Sequence, residues 1–439
     1  MGRGRDILYA AGLGLASPVW GWKLLRTGKW KTDWASRLGR GESLTALPAK
    51  GPGVRRILIH AVSVGETALI GGLVKELLAR DASLELVIAS TTNTGAARAL
   101  AMYSTLDRVR CIRYPLDFSG AVARFLDHAQ PDLVATVELE VWPNFTDACA
   151  ARGVPLVVVN GRLSARSFKG YRKFRRVIGP TFAKLTRVAA QTRDYAERFI
   201  AMGVPTDRVS VLDTMKWDTA VIEPAAGVAG ADELARELGI DRSRKLIVAG
   251  STSPGEEKLL VETCPPGVQL LIAPRKPEWF DAVMKVAPGA VRRTSGTPAP
   301  PEWPGKGQRV FLLDTIGELR RAYALADVCI VGRSFMGDLY GSDMMEPVAL
   351  GKPTLIGPHY ADFADTMRAL TEADGIVVTD TPGPESARLL ADPERARQIA
   401  ERGREVIRSR QGATARHADL LLGMLDGSAE TATYPEPGD

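Results

Sequence analysis

Two short runs pair acidic residues with chain that cannot continue as a strand. H-A-V-S-V-G-E-T (60–67) starts in apolar, β-branched chain and turns at small residues, leaving Glu66 at the start of a helix with backbone N–H groups nearby. A carboxylate in that position can take a proton from a hydroxyl group. The plain alternative is a first-turn acid favoured by the helix dipole. V-E-L-E-V-W-P-N (137–144) ends at Trp142-Pro143-Asn144 and so cannot run on as a central strand. Glu138 and Glu140, two residues apart in extended chain, would point the same way. Carboxylates beside an aromatic residue at a strand terminus favour chemistry over packing. The cations follow in N-G-R-L-S-A-R-S-F-K-G-Y (160–171) and D-T-M-K-W-D (213–218). Arg162, Arg166 and Lys169 either align for an anionic group or form a solvated basic helix face. Lys216 stands where a strand ends, its ammonium expected to face a cleft.

The second half of the chain offers turns and bases instead. G-S-T-S-P-G-E-E (250–257) can present N–H groups to a phosphate, but it lacks the lysine of a Walker loop, which argues against ATP hydrolysis. In A-P-R-K-P-E (273–278) Arg275 is held between two prolines, a stiff mount for an anion contact. D-T-I-G-E-L (314–319) and G-S-D-M-M-E-P (341–347) complete the set, with Glu346 able to accept hydrogen bonds from ribose hydroxyls. No G-x-G-x-x-G follows the first strand, against a dinucleotide-dependent dehydrogenase, and no G-x-S-x-G is present, against an α/β-hydrolase. Cys111, Cys149, Cys264 and Cys329 form no C-x-x-C, and His60, His128, His359 and His417 are isolated. No disulfide framework, metal site or cofactor is therefore expected. Acids in one half and turns with bases in the other suit an acceptor hydroxyl activated on one side and a nucleotide leaving group held on the other.

Such residues need strand ends to carry them. Nearly continuous apolar runs recur at 56–62, 84–90, 109–114, 132–138, 155–160, 188–191 and 209–212. Others follow at 245–250, 268–273, 310–314, 328–332, 353–357 and 375–379. Amphipathic stretches between them describe parallel strands covered on both faces. The fold class is α/β, with two Rossmann-like, doubly wound domains facing a central cleft. The boundaries read as an N-terminal segment at 1–50, an acceptor domain at 51–218, a linker at 219–243, a donor domain at 244–427 and a disordered tail at 428–439. The linker is placed by the Ala, Gly and Pro content of 218–232. Residues 294–307, with four prolines, read as a surface loop. No internal repeat of fixed period is visible.

The 439 residues are 45% hydrophobic and 25% charged, the balance of a globular protein. The net charge of +6 is unevenly placed: residues 1–60 hold eleven Lys and Arg against three Asp and Glu, a local +8, and the rest sums to −2. A general nucleic-acid binder would spread its basic charge over the folded body. Here the charge flanks an apolar run at 7–22, too short and Pro-broken for an ordinary spanning helix. Trp20, Trp22, Trp30 and Trp34 interleave with Lys23, Arg26, Lys29 and Lys31, a mixture suited to anionic head groups. The reading is an interfacial or barely spanning anchor through residues 1–40, with the body on the cytoplasmic side. An ordinary core helix is the alternative.

Taken in order, H-A-V-S-V-G-E, T-T-N-T-G (91–95), V-E-L-E-V-W-P-N, N-G-R-L-S-A-R-S-F, P-R-K-P-E and D-T-I-G-E-L resemble the Kdo (3-deoxy-D-manno-octulosonic acid) transferases of lipopolysaccharide synthesis, which have the GT-B glycosyltransferase fold. The likeness implies inverting, metal-independent transfer of Kdo from CMP-Kdo to the lipid A precursor at the inner membrane. By motif position it makes Glu66 the general base and Glu138 and Lys216 the transition-state stabilisers. Pro274, Arg275, Gly317, Glu318, Leu319 and the loop Asp343, Met344, Met345, Glu346 would hold CMP. The chain departs from the family pattern G-G-H-N-P-L-E-P at Gly341–Pro347, where the His and Asn are gone, and Arg333 replaces a usual glycine. A GT-B enzyme using another CMP- or UDP-activated sugar, or a non-catalytic nucleotide-sugar or lipid-binding paralogue, is the alternative.

Overall fold

In the computed structural model, residues 4–7, 9, 33–299, 309–337 and 339–428 are described. Most of the expected anchor (10–32), part of the proline-rich loop (300–308) and the expected tail from 429 onward lie outside them. Among the described residues no helix is long and apolar enough to cross a membrane.

The chain divides into two compact units, Met1–Thr219 with Gly412–Asp439, and Ala220–Gln411. The first is built on β1 (Arg55–His60), β2 (Leu84–Ser90), β3 (Val109–Arg113), β4 (Leu133–Val137), β5 (Leu156–Gly161), β6 (Arg187–Ala190) and β7 (Val209–Val211). These form one parallel sheet in the order β3-β2-β1-β4-β5-β6-β7. Alternate residues of each strand feed opposite cores. Leu58, Val134 and Val158 pack on one face, and Ile57, Ile59, Leu133, Ala135 and Val157 on the other. Burial on both faces is what made these strands read as unbroken apolar runs.

The second unit repeats the plan with β8 (Leu246–Thr252), β9 (Gln269–Pro274), β10 (Val291–Arg292), β11 (Arg309–Leu312), β12 (Val328–Val331), β13 (Thr354–Ile356) and β14 (Val377–Val378). The sheet order is β10-β11-β9-β8-β12-β13-β14. Leu246, Val248 and Leu271 feed one core, and Ile247, Ala249 and Leu270 the other. In each sheet the winding direction reverses beside the unit's first strand, between β1 and β4 and between β8 and β12. At such a switch point two strand-end loops diverge and leave a crevice.

Two boundaries differ from the sequence reading. The expected linker contains the helix Ala231–Leu238, whose Leu234 and Leu238 are buried in the second unit's core. The expected donor domain loses its last helix, Ala413–Asp426, to the first unit. There Ala418 and Leu421 join the core of β1 and β4, and the Asp218 carboxylate accepts the N–H groups of Gly412 (2.6 Å) and Thr414 (2.5 Å). Hydrophobic periodicity reveals that a helix is amphipathic, not which core receives its apolar face.

Candidate active site

In the first unit, Ser63 caps the helix Val64–Leu69, and Glu66 stands in its first turn. The Ser63 Oγ accepts the Glu66 N–H (3.3 Å) and donates to Glu66 Oε1 (2.8 Å), so cap and glutamate hold each other. Oε2 accepts the N–H of Val62 at 2.8 Å. The carboxylate is thus held by both oxygens, with a lone pair left on each for a substrate proton. The T-T-N-T-G run buttresses this turn, because Thr92 donates to the Val62 carbonyl through both its N–H (3.1 Å) and its Oγ1 (2.8 Å). Gly95 is required there, since a Cβ would meet the Val62 carbonyl oxygen at 2.7 Å.

Across the switch point, Glu138 follows β4 in the left-handed region, at φ +62°. The chain is therefore not extended at Glu138, and the simple two-residue alternation expected for 138 and 140 does not describe it. Its backbone is nevertheless pinned, N–H to the Val159 carbonyl (3.1 Å) and carbonyl to the Arg162 N–H (3.3 Å). Glu140 accepts the indole N–H of Trp142 at 2.6 Å. Burial pushes the Glu66 carboxyl up, against the pull of the Val62 and Ser63 hydrogen bonds and with a further push from the Glu138 charge. Burial, with the charges of Glu66 and Glu138, raises Glu140 to about 7. Three carboxyls therefore share one field at the ends of β1 and β4.

Lys216 lies in the turn Met215–Thr219, which packs against the helix carrying Glu66. Asn160, at φ +52° in β5, fixes that turn by accepting the Met215 N–H on Oδ1 (3.0 Å). Arg162 is half-buried beside Glu138, whereas Arg166 and Lys169 are exposed on the helix Ala165–Lys173.

In the second unit, Pro274 ends β9 and is buried, while Arg275 is exposed and donates its backbone N–H to the Thr252 carbonyl (3.0 Å). Gly317 adopts φ +92° and opens the way into the helix Leu319–Leu325. The Glu318 carboxylate accepts from Thr315 Oγ1 (2.6 Å) and pairs with Arg293 (3.2 Å) and Arg321 (3.2 Å). Although burial works to raise its pKa, these partners hold it low, so its side chain braces the turn. Glu346 is half-buried 3.9 Å from Arg320, raised by burial against that cation and further by Asp343. Asp343 Oδ1 accepts the Met345 N–H (2.9 Å), and Met344 and Met345 are buried, leaving their backbone as what they can offer a ligand.

Sequence reasoning paired Glu140 with Glu138 as a candidate for chemistry but gave it no role, and it passed over Glu256. The available signal for the latter was a recurring S-x-G-E, Ser63-Val64-Gly65-Glu66 and Ser253-Pro254-Gly255-Glu256, after the first strand of each unit.

Residues 32–219 match the family model for 3-deoxy-D-manno-octulosonic-acid transferase (kdotransferase). The chain is 32% identical to a 3-deoxy-D-manno-octulosonic acid transferase of Bordetella pertussis, over 96% of this chain and 99% of that one. It is 28% identical to the Haemophilus influenzae enzyme of the same name, over 92% and 93%. Among solved structures, UDP-GlcNAc 2-epimerase from Neisseria meningitidis bound to UDP-GlcNAc is similar in fold, with a TM-score of 0.56 at 14% identity, covering 84% of this chain and 99% of that one. Near-complete coverage of the Bordetella relative, on a GT-B pair of Rossmann-like sheets, makes the chain a member of the Kdo transferase family of glycosyltransferases.

Proposed function

We propose that the protein transfers Kdo from CMP-Kdo to the lipid A precursor with inversion, Glu66 serving as general base. The observation that carries this reading is the Glu66 carboxyl itself, oriented by Ser63 and Val62 and pushed up by burial beside Glu138. The acceptor O–H proton passes to Glu66 while its oxygen bonds to the anomeric carbon. The bond from that carbon to the CMP phosphate breaks, and its electron pair leaves with CMP. Glu138 and Lys216 stabilise the charge that develops, and Arg275 with the 317–319 and 343–346 segments holds the nucleotide. A single base suffices for attack opposite the leaving group.

A transfer assay with radiolabelled CMP-Kdo and lipid A precursor tests the assignment. Glu66→Gln should lower turnover by about a thousandfold or more, the upper part of the range for general-base contributions. CMP affinity by titration calorimetry should stay at the wild-type value. Retained turnover would remove Glu66 from the role, and tighter binding of UDP than CMP would redirect the donor assignment.

We also assign the acceptor side to a membrane surface. Residues 162–187 carry nine Lys and Arg and no Asp or Glu. On their helices Arg166, Lys169, Arg172, Lys173, Arg175 and Arg176 are exposed beside Phe174 and Val177. Aromatic and basic side chains together suit anionic head groups at the inner membrane, alongside residues 1–40. Deleting residues 1–30 should weaken co-sedimentation with anionic vesicles and leave neutral vesicles unaffected; unchanged binding to anionic vesicles would defeat that part.

A further inference from the structure

The S-x-G-E turn occurs twice, and its two glutamates are used differently. Glu66 keeps capacity for a substrate proton. Glu256, its counterpart after β8, is fully buried and surrounded by donors. Its Oε2 accepts the N–H (2.9 Å) and O–H (2.9 Å) of Ser253 and the N–H of Arg333 (2.7 Å). Its Oε1 accepts the N–H groups of Ser334 (2.8 Å) and Phe335 (2.9 Å). Residues 333–335 open the loop after β12, so this one carboxylate ties together the two strand-end loops that diverge at the second unit's switch point. Three successive backbone N–H groups of the kind that elsewhere cradle a phosphate are here turned inward onto a carboxylate.

The rest of the loop hangs from that knot. Ser334 donates its Oγ to the Val331 carbonyl (2.6 Å) and accepts the Gly357 N–H (2.8 Å), while its carbonyl accepts the His359 N–H (3.0 Å). Arg333, at φ +59°, sends its guanidinium to the Leu339 carbonyl (3.0 Å), and its own carbonyl accepts the Gly341 N–H (2.7 Å). The neck at 333 and 341 therefore sets where residues 343–346 begin. Arg333 stands in a backbone conformation that suits glycine, and its side chain contributes a clamp that glycine could not.

From this network we propose that Glu256 is a positioning residue for donor binding, its carboxylate fixing the 333–346 loop in the conformation that receives the CMP-sugar. The proposal rests on the reading that the loop carrying 343–346 receives the donor. Every contact of the carboxylate is with a donor, so an amide in its place turns an N–H₂ toward N–H groups, and the loop must shift.

The test uses the full chain with CMP-Kdo and lipid A precursor, CMP titration, and hydrogen exchange of the peptide spanning 332–341. Glu256→Gln should raise KM for CMP-Kdo and the Kd for CMP by about tenfold or more, the size of one lost charge-assisted hydrogen bond. Turnover at saturating donor should change far less, and exchange in 332–341 should accelerate. Ser253→Ala, which removes one hydroxyl donor, should move the same quantities in the same direction by less, and it decides the matter if Glu256→Gln fails to fold. A merely structural role would lower the active fraction, and so kcat, without moving KM or Kd. That outcome, or unchanged exchange, overturns the proposal. Glu346→Ala separates it from the underlying assignment. If Glu346→Ala weakens CMP-Kdo while Glu256→Gln does not, Glu256 is wrongly placed. If Glu346→Ala changes nothing while Glu256→Gln weakens the donor, the 343–346 assignment falls and the positioning role stands. If neither changes donor binding, both fall.

Discussion

The Glu66 and Glu140 carboxyls stand in the field of Glu138. Glu66 is pushed up by burial and by Glu138, and Glu140 reaches about 7 under burial and the charges of the other two. A general base must be ionised to act, so kcat/KM should fall on the acid side with an apparent pKa above the usual carboxylate range. Removing a carboxyl from the cluster makes ionisation of the others easier. In Glu138→Gln the acid limb should therefore move to lower pH, read from kcat/KM profiles between pH 5 and 9; an unmoved limb would show that the Glu138 charge does not act on Glu66. The acids were legible in the sequence because each stands where an apolar run breaks. Their electrostatic coupling was not, because it depends on β1 and β4 lying side by side, and that adjacency comes from the winding order. The left-handed backbone at Glu138 was equally hidden, since a glutamate gives no local sign of positive φ.

At the scale of elements, the helix Ala413–Asp426 is fastened to the first unit by polar groups that its amphipathic pattern does not announce. His417 Nε2 accepts the Asn160 N–H (2.9 Å), which requires the proton on Nδ1, where it is donated to the Ala413 carbonyl (2.8 Å). Burial drives His417 down to about 4. An unfolded histidine binds its proton near 6.5, so between roughly 6.5 and 4 the unfolded chain holds more protons, and stability falls as pH falls. For this one group the loss between pH 7 and pH 5 amounts to about 2 kcal/mol. His60, lowered by burial to about 3, acts in the same direction, whereas Glu140 and Glu257, both raised to about 7, act in the opposite one. The net slope is therefore not diagnostic, but its difference between wild type and His417→Gln is. The variant should lose less stability than wild type from pH 7 to pH 5 in urea unfolding; parallel losses would mean that His417 is not the buried neutral group described. The apolar strand runs were legible because both of their faces are buried. β10, two residues long, carried no such run, and the helix Ala231–Leu238 was masked by the Gly, Ala and Pro before it.

At the scale of the whole molecule, the two units differ in how the chain builds them. Ala220–Gln411 is continuous, with its own seven-stranded sheet and a core on each face. The other unit is discontinuous: its sheet is complete by Val211, yet one face remains unfinished until Ala413–Asp426 returns 200 residues later to cover it with Ala418 and Leu421. Removing that helix takes Ala418 and Leu421 out of the core they share with Leu73, Val74 and Leu77 of the neighbouring helix Gly71–Arg80, and each buried aliphatic side chain re-exposed costs about 1.5–3 kcal/mol. A few such residues equal the net stability of an ordinary domain. A chain ending at Gln411 should therefore lose the first unit while keeping the second. Limited proteolysis of that truncation should degrade residues 33–219 and leave a resistant fragment beginning near Ala220. The isolated span 220–411 should melt cooperatively by circular dichroism and retain CMP binding if the donor assignment holds. A fragment of 33–219 that stays folded without the returning helix would show that the discontinuity is incidental, whereas its loss would mean that the chain must wait for the helix Ala413–Asp426 before Glu66, Glu138 and Glu140 acquire a fixed geometry.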